Sequence, residues 1–151
     1  MRRGRRMRFF ISYPDGKRQL AELLALEIED AVQQSNIEAA VFLAFRDLPA
    51  SVSWQGEIRR EIRRADCALF LWTDESSRSV GQVAELGGFW LLETPRAAIC
   101  YGVDPRCLPP YLGDCQAMHW ADRSEQIASC LRRTVARSPS RSRNASDAGL
   151  P

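Results

Sequence analysis

The apolar positions of this chain follow two alternating patterns. Short, nearly continuous apolar runs are separated by longer stretches in which apolar residues recur every three or four positions. The runs predict strands buried on both faces, and the stretches predict amphipathic helices. RFFISY, residues 8–13, stops at Pro14-Asp15-Gly16 and reads as a strand and a turn. Leu20, Leu23, Leu24, Ile28, Ala31 and Val32 form the inner face of a helix over roughly 17–34. AAVFLAF, residues 39–45, is a second strand, and residues 46–51 are a loop. The next helix places Trp54, Ile58, Ile62 and Ala65 inward and Arg59, Arg60, Arg63 and Arg64 outward, with Glu57 and Glu61 within pairing reach. CALFLW, residues 67–72, is a fully buried third strand. A helix from about Ser79, a strand over 97–101, a proline-containing connection and a short strand over 117–120 follow. The last helix opens at Asp122, with Glu125 in capping-box position and Ile127, Leu131 and Val135 inside.

Strands alternating with helices predict an α/β fold with a parallel five-stranded sheet flanked by helices, flavodoxin-like in outline. Such sheets bind ligands outside the carboxyl ends of their strands. That rule places Ser12, Tyr13, Arg46, Asp47, Thr73, Asp74, Tyr101 and Gly102 at the functional edge. The expected organisation is a basic extension over 1–6, one domain over 7–136, and a disordered Ser/Arg/Pro-rich tail over 137–151.

Charge adds an asymmetry to this picture. The formal net charge is +2, yet residues 9–131 hold eleven basic against eighteen acidic side chains, about −7, between two arginine-rich ends. An acidic body argues against a nucleic-acid-binding domain, and the basic ends read as solubilising. No apolar run reaches the roughly 18 residues of a membrane span, and residues 7–13 are too short for a signal peptide, so a cytoplasmic protein is expected. Five cysteines without C-x-x-C spacing and one histidine, His119, predict no metal site. Cys67 and Cys100 lie in apolar runs and read as small core residues.

The candidate chemistry lies in SVGQVAELGGFW, residues 79–90. Glu85 is the one charged residue between Arg78 and Glu93. Ser79 and Gln82 have the spacing of an N-cap and its N3 partner. On a helical wheel, Val83, Leu86, Gly87, Trp90 and Leu91 form the core-facing stripe, and Glu85 points away beside Gly81, Gly88, Phe89 and Leu92. Two flanking glycines leave the carboxylate approachable, and an apolar surround raises its pKa. The wheel leaves two readings open: a carboxylate at the floor of a pocket, or an exposed or arginine-paired glutamate. The rest of the chain narrows the chemistry. There is no phosphate-binding glycine loop, and the one lysine, Lys17, is misplaced for a phosphoacceptor receiver domain. His119 reads as a core or edge residue. A lone glutamate suits stabilising, or attacking, an oxocarbenium-like centre in glycosidic cleavage.

The order and spacing of FISY (10–13), VFLAFRDLPASVSW (41–54), IRREIRRADCALFLWTDESSRS (58–79) and SVGQVAELGGFW resemble a TIR (Toll/interleukin-1 receptor) domain of the bacterial stand-alone kind, over roughly 7–136. In enzymatic members the helix glutamate cleaves NAD at the nicotinamide–ribose bond, and it aligns with Glu85. The resemblance implies NAD as a substrate, with no cofactor, and a role in antiphage or immune signalling. It implies self-association through TIR–TIR contacts and activation by a sensor or effector protein or a ligand. By position, Ser12, Tyr13, Arg46, Asp47 and Ser79 would line the substrate site. Many NAD-cleaving members carry an aromatic four residues before the glutamate, where this chain has Gly81. Base stacking then falls to Phe89, Tyr13 or Trp54. Two other functions fit the same residues. One is a non-enzymatic TIR scaffold using residues 46–51 and the arginine face of the second helix. The other is a nucleoside 2-deoxyribosyltransferase-like enzyme, which would ignore NAD.

Overall fold

The computed structural model describes residues 6–44, 53–113 and 115–137. The five apolar runs are all strands: β1 (Met7–Ser12), β2 (Ala39–Leu43), β3 (Cys67–Trp72), β4 (Arg96–Cys100) and β5 (Gln116–His119). They form one parallel sheet in the order β2-β1-β3-β4-β5. The helices are α1 (Arg18–Gln34), α2 (Trp54–Arg64), α3 (Val80–Leu91), the short α4 (Pro110–Gly113) and α5 (Arg123–Arg137). The strand order reverses between β1 and β3, and a crevice opens at their carboxyl ends at such a switch point.

Each strand sends alternate side chains to opposite faces. Phe9 and Ile11 join Leu24, Ile28, Ile127 and Leu131 in the core under α1 and α5. Phe10, Phe70 and Trp72 join Leu86 and Phe89 in the core under α2, α3 and α4. All six residues of β3 are buried, as their unbroken apolarity requires.

Four expectations about helix faces need correction. Leu23, Trp54 and Val135 are exposed rather than inward. The fourth concerns α3. Its buried residues are Gln82, Leu86 and Phe89, whereas Val83, Trp90 and Leu91 face solvent. An almost wholly apolar helix gives the wheel no contrast from which to choose a face. The sheet chose the side carrying Phe89, whose ring packs edge-on against Phe10 at 5.1 Å and Phe70 at 6.0 Å.

Candidate functional site

The segment between β3 and α3 is built from its own polar groups. Thr73 N–H donates to Ser76 Oγ at 2.8 Å, and Glu75 N–H donates to Thr73 Oγ1 at 3.2 Å. A 3-10 turn over Ser76–Arg78 follows, and it delivers Ser79 in extended conformation at the helix start. Ser79 Oγ then accepts from Gln82 N–H at 3.3 Å, the cap the S-x-x-Q spacing predicts. The reciprocal half of the capping box is not made. The Gln82 side chain turns inward instead, and its Nε2 donates to the carbonyl of Ser12 at 3.3 Å and that of Leu71 at 2.9 Å. It thereby bridges the ends of β1 and β3 across the switch point.

Glu85 lies one turn further along, partly buried, on the same side of α3 as Gln82 and Phe89. Burial pushes its carboxyl up from the ordinary 4.5 to about 7; the Ser12 hydroxyl pulls the other way, and the charge of Asp15 adds to the rise. Ser12 Oγ is itself buried and, among the described residues, has no partner within hydrogen-bond geometry, so it acts on Glu85 as a nearby hydroxyl dipole. Asp15 stands in the 3-10 turn Asp15–Lys17 directly after β1. In the same turn Gly16 lies so close to the Glu75 carboxylate that a Cβ there would come within 2.9 Å of it. The site is thus a carboxylate whose titration is raised toward neutrality, at the carboxyl edge of a parallel sheet, with a buried hydroxyl beside it. Such a group can accept a proton or stabilise a developing cation.

The residues singled out from sequence divide into three groups. Ser12 and Glu85 come together, and Ser79 caps the helix that carries Glu85. Arg46 and Asp47 lie outside the described residues. The aromatic candidates need correction. Phe89 is fully buried between Phe10 and Phe70, so it has no ring face for a base. Tyr13 belongs to the core under α1, on the opposite side of the sheet from α3, because Tyr13 follows the parity of Phe9 and Ile11. Trp54 is 59% exposed at the start of α2 and is open to a ligand. Among the described residues, nothing lies within 4 Å of where a Gly81 side chain would begin.

Sequence reading missed Asp15 and the inward role of Gln82. In the sequence Asp15 stands between Pro14 and Gly16 and carries only a turn signal. Gln82 carried one signal, a lone amide in an apolar helix, which the cap spacing had already absorbed. Among the described residues no group of three or more His, Cys, Asp or Glu is placed to hold a metal ion. No helix among them is long and apolar enough to cross a membrane.

A family model described as TIR domain matches residues 9–134. No curated protein matches the chain. Among solved structures, the TIR domain of the Toll-related receptor TRR-2 from Hydra magnipapillata is similar, with a TM-score of 0.58 and 16% identity over 85% of this chain and 94% of that one. The TIR domains of the activated Roq1 resistosome, which recognises the pathogen effector XopQ, give a TM-score of 0.54 and 17% identity over 87% and 72%. A diflavin flavoprotein A3 from Nostoc sp. gives 0.53 and 13% over 87% and 96%, a likeness of fold.

Proposed function

The chain belongs to the TIR domain family, and on that premise we propose that it is an enzyme cleaving NAD at the nicotinamide–ribose bond, with Glu85 as its acting carboxylate. The observation that carries this reading is the position of Glu85: one carboxylate on an otherwise apolar helix, at the switch-point edge, buried enough to titrate near neutrality. Among the described residues no arginine offsets the burial of this carboxylate, so its ionised form costs stability, which a purely structural glutamate would not need to do.

The mechanism follows from the charge that develops. Breaking the N-glycosidic bond sends the bonding pair to nicotinamide, which leaves neutral, and places positive charge on the ribose C1′ and ring oxygen. Ionised Glu85 would stabilise that charge or attack C1′. Ser12 Oγ would hold the carboxylate in its ionised, aimed state. Water, a substrate hydroxyl or a second base then completes hydrolysis, cyclisation or exchange. Trp54 would offer a ring face to a base, and Arg46 and Asp47, outside the described residues, stay candidates for substrate contact by sequence position alone.

The test is NAD turnover by the purified protein at high concentration with a crowding agent, beside Glu85→Gln. Nicotinamide release by the parent, lost in the folded variant, supports the reading, and mass spectrometry of the product fixes the branch. Equal release by both would overturn it. Turnover of nucleosides with NAD untouched would point to the deoxyribosyltransferase-like alternative.

One observation favours a scaffold or self-association role alongside or instead of catalysis. The outer side of α3 exposes Val80, Val83, Trp90 and Leu91, with Leu92 just beyond, and Trp90 stacks at 4.9 Å on exposed Tyr111. Contiguous exposed apolar surface of this kind marks a protein interface. A second copy of this chain, or a sensor or effector protein carrying a TIR domain, is the proposed partner, in bacterial antiphage or immune signalling.

A further inference from the structure

We infer that Gln82 is a positioning residue: its side-chain amide is the polar strut that holds the first turns of α3, and so Glu85, against the switch-point crevice. The inference rests on the proposed role of Glu85, and it comes from what else holds that part of the helix. Of residues 80–85, only Gln82 is buried; Val80 is 85% exposed, Val83 is half-exposed, and Gly81 and Ala84 face solvent. Apolar packing therefore does not fix this end, and the next buried contact is Leu86. The Ser79 cap shapes the helix end without tying it to the sheet.

The tie is the pair of bonds from Gln82 Nε2 to Ser12 O and Leu71 O. One acceptor belongs to β1 and the other to β3, so the amide fixes α3 against both walls of the crevice at once. It also grips the backbone of Ser12, whose hydroxyl faces Glu85. Residues three apart on a helix share a face, so the placement of Gln82 sets that of Glu85. Gln82 Oε1 is buried without a partner, a cost a purely packing residue such as leucine would avoid.

Gln126 supplies an internal control. It is buried under the other face of the sheet, and its Nε2 donates to Ala98 O at 2.9 Å and Gln116 O at 2.8 Å, tying α5 to β4 and β5. It is a similar strut, but the residue three further along its helix, where Glu85 stands relative to Gln82, is Ser129.

The experiment compares Gln82→Leu and Gln82→Met with Gln126→Leu, each checked for folding by circular dichroism and melting; methionine guards against a leucine variant that fails to fold. The first readout is the titration of Glu85 by carbon NMR of labelled carboxyls, assigned with Glu85→Gln. Freed from the crevice, Glu85 in the Gln82 variants should titrate closer to an ordinary glutamate, and in Gln126→Leu it should titrate as in the parent. The second readout is NAD turnover, where displacing the carboxylate by about an ångström should cut kcat by about ten- to a hundredfold with KM changed far less. An unchanged or raised Glu85 titration in the folded Gln82 variants overturns the inference, as does an equal shift in Gln126→Leu. Absence of NAD turnover in the parent would sink the NAD reading alone, because the titration still decides whether Gln82 places Glu85.

Discussion

The Ser12 hydroxyl, buried at the end of β1, faces the Glu85 carboxylate on α3 and favours its ionised form against burial and the charge of Asp15. Removing it should leave the other two effects unopposed. Ser12→Ala is expected to raise the Glu85 pKa above about 7 and to move the acid limb of the pH profile of kcat/KM to higher pH. Rates at pH 6, 7 and 8 would show it; an unmoved limb would separate Ser12 from Glu85.

Glu85 itself makes a prediction about stability. Its folded pKa, about 7, lies above the ordinary 4.5, so between those values the folded state holds a proton the unfolded state has released. The penalty is absent below pH 4.5, grows as pH rises, and is complete above pH 7, where it reaches at most about 3 kcal/mol. Glu85→Gln should therefore raise Tm at pH 8 and leave it nearly unchanged at pH 4.5, while abolishing turnover. Equal Tm changes at both pH values would contradict the buried, raised carboxyl.

Phe89 and Trp54 separate core from ligand contact. Phe89→Ala empties the space between Phe10 and Phe70 and should cost about 3–5 kcal/mol in chemical denaturation. Trp54→Ala, at an exposed helix start, should change stability by no more than about 0.5 kcal/mol, so a loss of substrate affinity there would report binding.

Arg123 joins two helices on the face away from α3. Its Nε and Nη2 reach the Glu27 carboxylate at 2.8 and 3.0 Å, and its guanidinium lies 4.6 Å from the Trp120 ring centre. Both partners are about a quarter exposed, so solvent weakens the pair without erasing it. Arg123→Ala should cost about 1–2 kcal/mol, and a double-mutant cycle with Glu27→Ala should recover a coupling of at least about 0.5 kcal/mol.

The apolar outer side of α3 predicts a change in mass rather than in folding. Leu91, 75% exposed, carries little of the core, so Leu91→Glu should leave Tm within a few degrees. Light scattering at rising concentration should show the parent self-associating and the variant remaining smaller.

The sheet was legible because its message is redundant: CALFLW allows no helix face and no exposed strand side, and apolar runs alternating with helices call for a parallel sheet, though not for its strand order or register. Glu85 was legible as the one charge in an apolar helix. The face it occupies was not, since contrast decides a wheel and this helix has little. Gln82 and Phe89 were misread together for that reason, the first as a cap partner and the second as an open aromatic. Tyr13 was placed by strand end alone, without the parity that sends it under α1.

The glycines of α3 carry a consequence for how the molecule assembles. Gly81, Gly87 and Gly88 stand in a twelve-residue helix, each costing about 1 kcal/mol of helix propensity relative to alanine. A segment this short and this rich in glycine does not hold a helix in isolation. The two carbonyls that receive Gln82 converge only after β1 and β3 have paired, so α3 is predicted to dock late on the folding pathway. Substitutions in it should speed unfolding and leave the refolding rate nearly untouched. The reactive carboxylate would then be the last part of the domain to take its place, and a chain that stalls or mispairs along the way would carry no assembled site.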